Sequence, residues 1–545
     1  MRPVIAETSE MLANAPGDCS NWVAMTERYD LECTPTQDPG RLRPVDLSAP
    51  SARLTDTLSV VGAGLGEHSA SMAITEGTTS DATAAEREYG DRVLAVEPGG
   101  NEFIPHEVRH GTPRQLFWTW MSPNLEFATI FIGILSVSVF GMTFWQATLG
   151  LVLGTGLGAA AHYVLSARGP LHGVPQMVLG RLGFGYWGNA LPSAFMSIMC
   201  GVGWFATNSV SGAFALNTLT GLAPLPSLLV IVVVQTVFAF FGHNLVQAFE
   251  RYAFPVLAVI FAITAVVVLA KSNPGAPAVE GGVGGMGGFL LTVGTAFGYA
   301  AGWTPYAADY TRYLPATVSR VRTGLFASAG LFVSCVALSV VGAASVTIGA
   351  PSSDNPTDAF TANLPSALAN LTLLAIALGA VAANALNVYS GSMAFVTIGL
   401  RLPLKTQRAV VTMMFGVVGF LVAWWALADA AASYEAFLLI VAYWIGPWLG
   451  IMFADQYLRR GQRIDTLLYN REYSNWGGLT AFVIALVGSV LLFSNQEKFV
   501  GYVVRAVPEL GDITFFVGFV LAGALYLAIN GAKISRGQPV GAQGK

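Results

Sequence analysis

Charge is what this sequence has least of: Asp, Glu, Lys and Arg supply 11% of its 545 residues, against about 25% in soluble globular chains. With 54% of residues apolar, a fold solvated by water is excluded and lipid becomes the solvent. Cysteine is scarce as well. Cys19, Cys33, Cys200 and Cys335 show no CxxC spacing, so neither a disulfide framework nor a metal site is expected. The six histidines include no HExxH, and no GxSxG lies in an apolar run, which leaves an intramembrane hydrolase without its metal or its nucleophile. Rings of charge or a repeated filter motif, the marks of a selective channel, are missing too. A net charge of −4 with basic residues in short loops gives no reason to expect nucleic acid as a partner. No cofactor and no obligate protein partner is implied.

What is present is a series of apolar runs of membrane-spanning length. Twelve spans are expected, at about 115–140, 142–166, 189–216, 226–242, 248–270, 286–312, 322–349, 366–397, 407–428, 434–454, 478–494 and 511–530, giving an all-α polytopic membrane protein. With the N-terminus inside, the inner loops hold thirteen basic residues, Arg168, Arg181 and Arg459 among them, against Lys271, Lys498 and Arg505 outside. That asymmetry places both termini in the cytoplasm and the protein in the cell membrane. Residues 1–114 are polar and carry no span or signal-peptide pattern, so they are expected to form a mostly disordered cytoplasmic tail. Met72 opens a more coherent acidic stretch, which makes 1–71 readable as an over-extended start. Residues 115–454 then form a core of ten helices, 455–530 a loop and two more, and 531–545 a second cytoplasmic tail.

Two spans are interrupted by the same device. Ser122-Pro123 precedes Glu126, and Thr304-Pro305 precedes Asp309; Ser and Thr suit a helix N-cap and Pro the first helical position, so each dipeptide can start a fresh half-helix. Gly302 suits the end of the half-helix before it. Such a pair of broken helices, five spans apart, points to a transporter built from inverted repeats that holds its cargo at the breaks. A carboxylate inside a span is costly, about 2.5 to 3.5 kcal/mol at the bilayer centre, so Glu126 should be paired, protonated or facing a polar cavity. Trp204 and Asn208 lie four apart in the third span and share a face, offering an indole plane and an amide to a flat heteroaromatic ligand. Trp303 could supply a second wall. Asn384 and Asn387, three apart in the eighth span, either present two amides to the cavity or serve interhelical hydrogen bonding. Asp309 and Arg312, at the cytoplasmic end of the sixth span, read as a structural ion pair or a gating contact. Gly150, Gly154 and Gly158 make a smooth stripe suited to close helix packing.

In order along the chain, LFWTWMSPNLEF, GVPQMVLGRLGFGYWGNALP, GWFATN, FFGHNLVQAFERYAFP, GWTPYAADYTRYLP and NALNVYSG resemble the purine-cytosine permease group of the nucleobase-cation-symport-1 family, from about residue 112 to about 460. The resemblance implies a leucine-transporter-like fold: ten helices in two inverted five-helix repeats, with helices 1 and 6 broken, and two more helices at the C-terminal end. It implies import of cytosine, purines or related planar compounds with a coupled cation. It places base stacking on Trp204 and Trp303, and polar recognition on Ser122, Asn208 and the pair Asn384 and Asn387. Allantoin, hydantoin and vitamin B6 are the alternative cargoes. The eighth-span stretch Val381-Ala382-Ala383 lacks the hydroxyls that coordinate Na⁺ in sodium-coupled members. Proton coupling is therefore expected, with Glu126, and Asn124 beside it, as the coupling residues; sodium held by Ser122 and backbone carbonyls is the alternative.

Overall fold

A computed structural model of the chain describes residues 100–241, 243–349, 353, 355–399 and 404–535, all within the unit Ile74–Lys545; the unit Met1–Ala73 lies outside the described residues. The segment read as an over-extended start, residues 1–71, and the last ten residues of the C-terminal tail fall outside them too. In chain order the main helices are α1 (Gln115–Met121), α2 (Phe127–Ser138), α3 (Phe144–Ser166), α4 (Gln176–Phe184), α5 (Ala190–Thr220), α6 (Pro224–Phe241), α7 (His243–Lys271), α8 (Gly285–Ala301), α9 (Ala307–Thr311), α10 (Arg320–Val346), α11 (Pro356–Thr361), α12 (Ser366–Thr397), α13 (Leu404–Ala426), α14 (Ala430–Leu458), α15 (Trp476–Phe493) and α16 (Thr514–Ser535). A two-residue hairpin, Asn495–Gln496 with Phe499–Val500, is the one sheet among the described residues. Helices dominate because in lipid each backbone polar group must be satisfied within its own segment.

Among the described residues nine helices are long and apolar enough to cross a membrane, or ten when α1 and α2, bent by 60°, count as one span. The difference from the expected twelve falls at two places: α6 is a shorter apolar helix, and α8 stops after 17 residues where the sixth span was expected to break. The central and peripheral helices separate by burial. The apolar window of α14 is 78% buried, that of α7 only 22%, so α7 presents Val256, Val259, Ile263 and Val266 outward as a lipid-facing row.

The glycine stripe explains how α3 and α8 lie together. A Cβ on Gly154 would sit 2.3 Å from the Val293 carbonyl oxygen, and one on Gly158 2.6 Å from the Ala300 Cβ. Backbone thus meets backbone, where close approach substitutes for the hydrophobic force that lipid removes. Gly156, off the stripe, has no neighbour nearer than 3.8 Å. Overpacking a tight contact typically costs about 1–3 kcal/mol, so Gly154→Leu should lower the thermal unfolding midpoint of the detergent-purified protein while Gly156→Leu leaves it within about a degree or two.

Two stretches depart from the expected plan. Residues 100–114, expected to be part of a disordered tail, are tied to the bundle: the Ile104 N–H donates to Gly173 O (2.8 Å), the His110 N–H to Tyr313 O (2.7 Å), and the buried Arg109 to the carbonyls of Ile104 (2.8 Å) and Pro170 (2.7 Å). Polar composition misled here because the anchoring groups are backbone amides and one guanidinium. Between α3 and α5 the chain forms α4, nine residues that are all buried, too short and too glycine-rich to register as an apolar run. Within α5, Met199–Trp204 is a π-helical turn. Gly201 and Gly203 let neighbouring rings close on it, since a Cβ on the first would run into the Phe415 ring and one on the second into the Phe437 ring.

Candidate functional site

Both expected breaks exist, and each is a single 3₁₀ turn around a proline: Ser122–Asn124 in the first, Thr304–Tyr306 in the second. Their capping differs from expectation. Ser122 and Pro123 close the end of α1, and the cap of α2 is Glu126, extended at φ −152°, whose carboxylate accepts the Ala128 N–H at 3.2 Å. Negative charge at a helix N-terminus is favourable, so Glu126 displaces Ser122 from that role. In the second break Gly302 is right-handed, φ −51°, and does not terminate α8 by a left-handed turn. Its purpose is space: a Cβ there would meet the Trp204 ring at 3.1 Å. The Thr304 hydroxyl points back to Ala301 O (2.6 Å) and so caps the outgoing half rather than the incoming one. Pro305 sits in the 3₁₀ turn, where its missing N–H costs nothing.

Glu126 is 2% exposed and tied to α8, because the Tyr299 hydroxyl reaches its Oε1 at 3.2 Å and also lies 2.6 Å from Thr129 Oγ1. Thr129 in turn donates to Asn124 O (2.7 Å). Among the described residues no Lys, Arg or His forms an ion pair with the Glu126 carboxylate. Asn124, expected to assist the cation, is held between the breaks: its Nδ2 donates to Trp120 O (2.7 Å) and its Oδ1 accepts the Trp303 indole N–H (3.0 Å). Trp303 is therefore fixed in orientation, its ring tilted against Tyr306 and edge-on to Trp120. Trp204 packs edge-on to Tyr299 and Phe437 and over Gly302, the residue next to Trp303. Both indoles thus stand at the α8 break.

The amides gather on α5 and α12. Asn208 Nδ2 donates to Asn384 Oδ1 (3.0 Å), and Asn387 Nδ2 donates to the same oxygen (3.3 Å). Asn384 Nδ2 donates to Phe205 O (3.0 Å) and Gln235 Oε1 (2.8 Å), so both its donor hydrogens and its oxygen are engaged within the protein. Asn387 Oδ1 accepts the Tyr306 hydroxyl (2.7 Å), while Asn208 Oδ1 is buried without a partner. Ser122 is buried at the first break. Asp309 and Arg312 run to different partners: the carboxylate accepts the Gln176 N–H (2.9 Å), and the guanidinium donates to the carbonyls of Gly100 (3.0 Å) and Glu102 (3.4 Å).

Sequence reasoning missed Gln235, Tyr299, Tyr306 and His162. Gln235 had a signal, being the lone amide in an apolar run of α6. His162 had one as well, since it follows Gly150, Gly154 and Gly158 at the same four-residue step; it is fully buried against Trp120, with ring centroids 4.2 Å apart. The two tyrosines announce themselves only through partners 173 and 81 residues away.

Helices that end inside a bilayer leave backbone groups for a solute to find, and flat rings and amides beside them give that solute a shape; this is how a secondary transporter holds its cargo, and the protein is a transporter, not an enzyme. The chain belongs to the family of permeases for cytosine/purines, uracil, thiamine and allantoin, which it matches over residues 103–518. It is similar to the putative purine-cytosine permease of Bacillus subtilis, 27% identical over 463 residues and covering 81% of this chain and 98% of that one. The purine-cytosine permease of Emericella nidulans is 26% identical over 475 residues, covering 84% and 92%. A solved nucleobase-cation-symport-1 family transporter, in a closed conformation with bromovinylhydantoin bound, superposes with a TM-score of 0.63 at 19% identity, covering 81% of this chain and 96% of its own. That likeness establishes the leucine-transporter-like fold.

Proposed function

We infer that this chain is a symporter that imports a nucleobase, cytosine or a purine, with a coupled cation by alternating access. The observation that supports it most is the meeting of two broken helices beside Trp204, Trp303 and the amides of α5 and α12. Stacking on an indole contributes about 1–3 kcal/mol per base, and the amides read the polar edge. In this reading Ser122, Trp204, Asn208, Trp303 and Asn387 contact the base while Asn384 stands behind them. Twelve spans fit it, the first ten as two inverted repeats with α1–α2 and α8–α9 as the corresponding broken members. The excess of basic residues in the inner loops favours cytoplasmic termini in the cell membrane. Asp309 and Arg312 serve a structural role, holding Gln176 and the Gly100–Glu102 segment.

A proton is the favoured coupling ion. Where α12 crosses the first break the contact residue is Gly379, whose Cβ would lie 2.7 Å from Leu125 O, and the following Val381, Ala382 and Ala383 bring no hydroxyl for Na⁺. Glu126 offers the alternative chemistry. Ionised, it accepts from both the Ala128 N–H and the Tyr299 hydroxyl; protonated, its O–H becomes a donor, so the Tyr299 hydroxyl has to turn from donor to acceptor and the tie between α2 and α8 is rearranged. Protonation thereby biases the relative movement of the two broken helices. Allantoin or a hydantoin is the second reading, since the family description includes the first and the solved relative holds the second; vitamin B6 is a further planar cargo.

The test is uptake into proteoliposomes over a panel of cytosine, adenine, hypoxanthine, allantoin, a hydantoin and pyridoxine, each with and without sodium. Saturable uptake of a nucleobase that persists without sodium and collapses with a protonophore is expected. Uptake confined to allantoin or the hydantoin transfers the assignment to the second reading, and uptake that needs sodium removes the proton.

A further inference from the structure

The outer faces of α3 and α10 meet in an apolar seam that ends in positive charge. On α3 the exposed residues Leu149, Leu153, Leu157 and Ala160 recur every three or four positions, and the same step leads through Val164 to Arg168. Arg168 keeps helical dihedrals, φ −94° and ψ −25°, so it stands on the lipid-facing side of the helix. On α10 Val321, Leu325 and Val333 are exposed alike. The two rows border one groove. A Cβ on Gly324 would lie 2.7 Å from the Tyr163 ring and carbonyl, whereas one on Gly156 would have Phe332 at 3.8 Å as its nearest neighbour. The helices thus touch near Arg168 and leave a shallow floor at Gly156.

Charge gathers where the seam ends. Arg320 and Arg459 stand close enough to Arg168 to repel it, and Asp455 is the opposing charge. Asp455 is already engaged, by Arg459 Nε at 2.8 Å and the Tyr526 hydroxyl at 2.6 Å. His172, four residues beyond Arg168, faces Asp465 at 3.5 Å. Arg322 is exposed, and the first turn of α10 carries no acid. Among the described residues Arg168, Arg320 and Arg322 form no ion pair.

We propose that this seam binds an anionic phospholipid, with its phosphate among Arg168, Arg320 and Arg322 and an acyl chain running over Gly156 between the leucines of α3 and α10. The site is separate from the cargo site, and the orientation proposed above puts it in the cytoplasmic leaflet. Arginine suits the role because its planar fork meets two phosphate oxygens at once, while its stem lies along apolar surface. A basic residue beside an anionic membrane surface contributes about fivefold in affinity, so three of them favour an anionic over a zwitterionic lipid by about a hundredfold. A free phosphate would find the same charges but would have no use for the groove.

The test uses the full-length chain purified in detergent, with phosphatidylglycerol and phosphatidylcholine of identical acyl chains added separately and the thermal unfolding midpoint followed. Phosphatidylglycerol should raise the midpoint saturably, since a ligand that binds only the folded chain stabilises it, and phosphatidylcholine should not. Arg168→Gln with Arg320→Gln should weaken that response about twentyfold. Arg460→Gln with Arg463→Gln, on the loop after α14, should leave it intact. Gly156→Leu, which fills the floor and spares the charges, should weaken it too, and it decides the matter where the arginine variant does not fold. Equal response to the two lipids, the same shift from inorganic phosphate, an equal loss in the loop variant, or an undiminished response in Gly156→Leu or the arginine variant overturns the proposal. None of these outcomes bears on the nucleobase reading.

Discussion

Trp204→Ala is expected to reach the membrane folded and to lose base uptake by about two orders of magnitude. The indole has two attachments that the substitution removes together. On the proposed function one is the stack on the base, at the upper end about 3 kcal/mol, which alone is a factor of about a hundred in affinity. The other is the wedge between Tyr299, Phe437 and Gly302, which positions the α8 break. Trp204→Phe keeps a flat ring and should retain a measurable fraction of uptake. Size-exclusion profiles and substrate-induced thermal shifts separate the outcomes: a monodisperse protein that no longer responds to base supports the role, and near-wild-type transport by Trp204→Ala removes this residue from the site.

Glu126→Gln is expected to separate transport from accumulation. The amide still accepts through its oxygen from the Tyr299 hydroxyl or the Ala128 N–H, so the fold and base binding should survive, but no proton can be taken up or released. An inward proton at 100 mV supplies about 2.3 kcal/mol, roughly a fiftyfold concentration gradient for a neutral base. The wild-type chain should build a gradient of that order and lose it to a protonophore. The variant should equilibrate labelled base across the membrane at a ratio near one, with counterflow exchange intact and no further response to the protonophore. Retained accumulation in Glu126→Gln assigns the coupling ion elsewhere.

Most of the span positions, and both breaks, were legible in the sequence, because hydrophobic runs and Gly/Pro punctuation are local signals. What the breaks do with their residues was not. Glu126 caps α2 with one carboxylate oxygen while Tyr299, 173 positions later in the chain, holds the other, and Gly302 proved to be a place for the Trp204 ring to rest rather than a turn former. The two α12 asparagines looked interchangeable because they share composition and a helix face. Their difference comes from Gln235 and Phe205 on other helices, which saturate Asn384 and leave Asn387 to meet Tyr306. Residues 100–114 were misread for a related reason: backbone amides that bind the bundle leave no trace in side-chain composition.

The π-helical turn Met199–Trp204 carries a last consequence. Such a turn is an α-helix with one residue too many, and a single residue corresponds to about 100° of rotation about the axis. Everything after it in α5, Asn208 included, is aimed by that surplus residue. Deleting one position from Cys200–Gly203 would swing the amide away from Asn384 while leaving each contact residue in the chain unaltered. Insertion and deletion in this turn therefore offer a route to new cargo that runs through angular register instead of side-chain exchange.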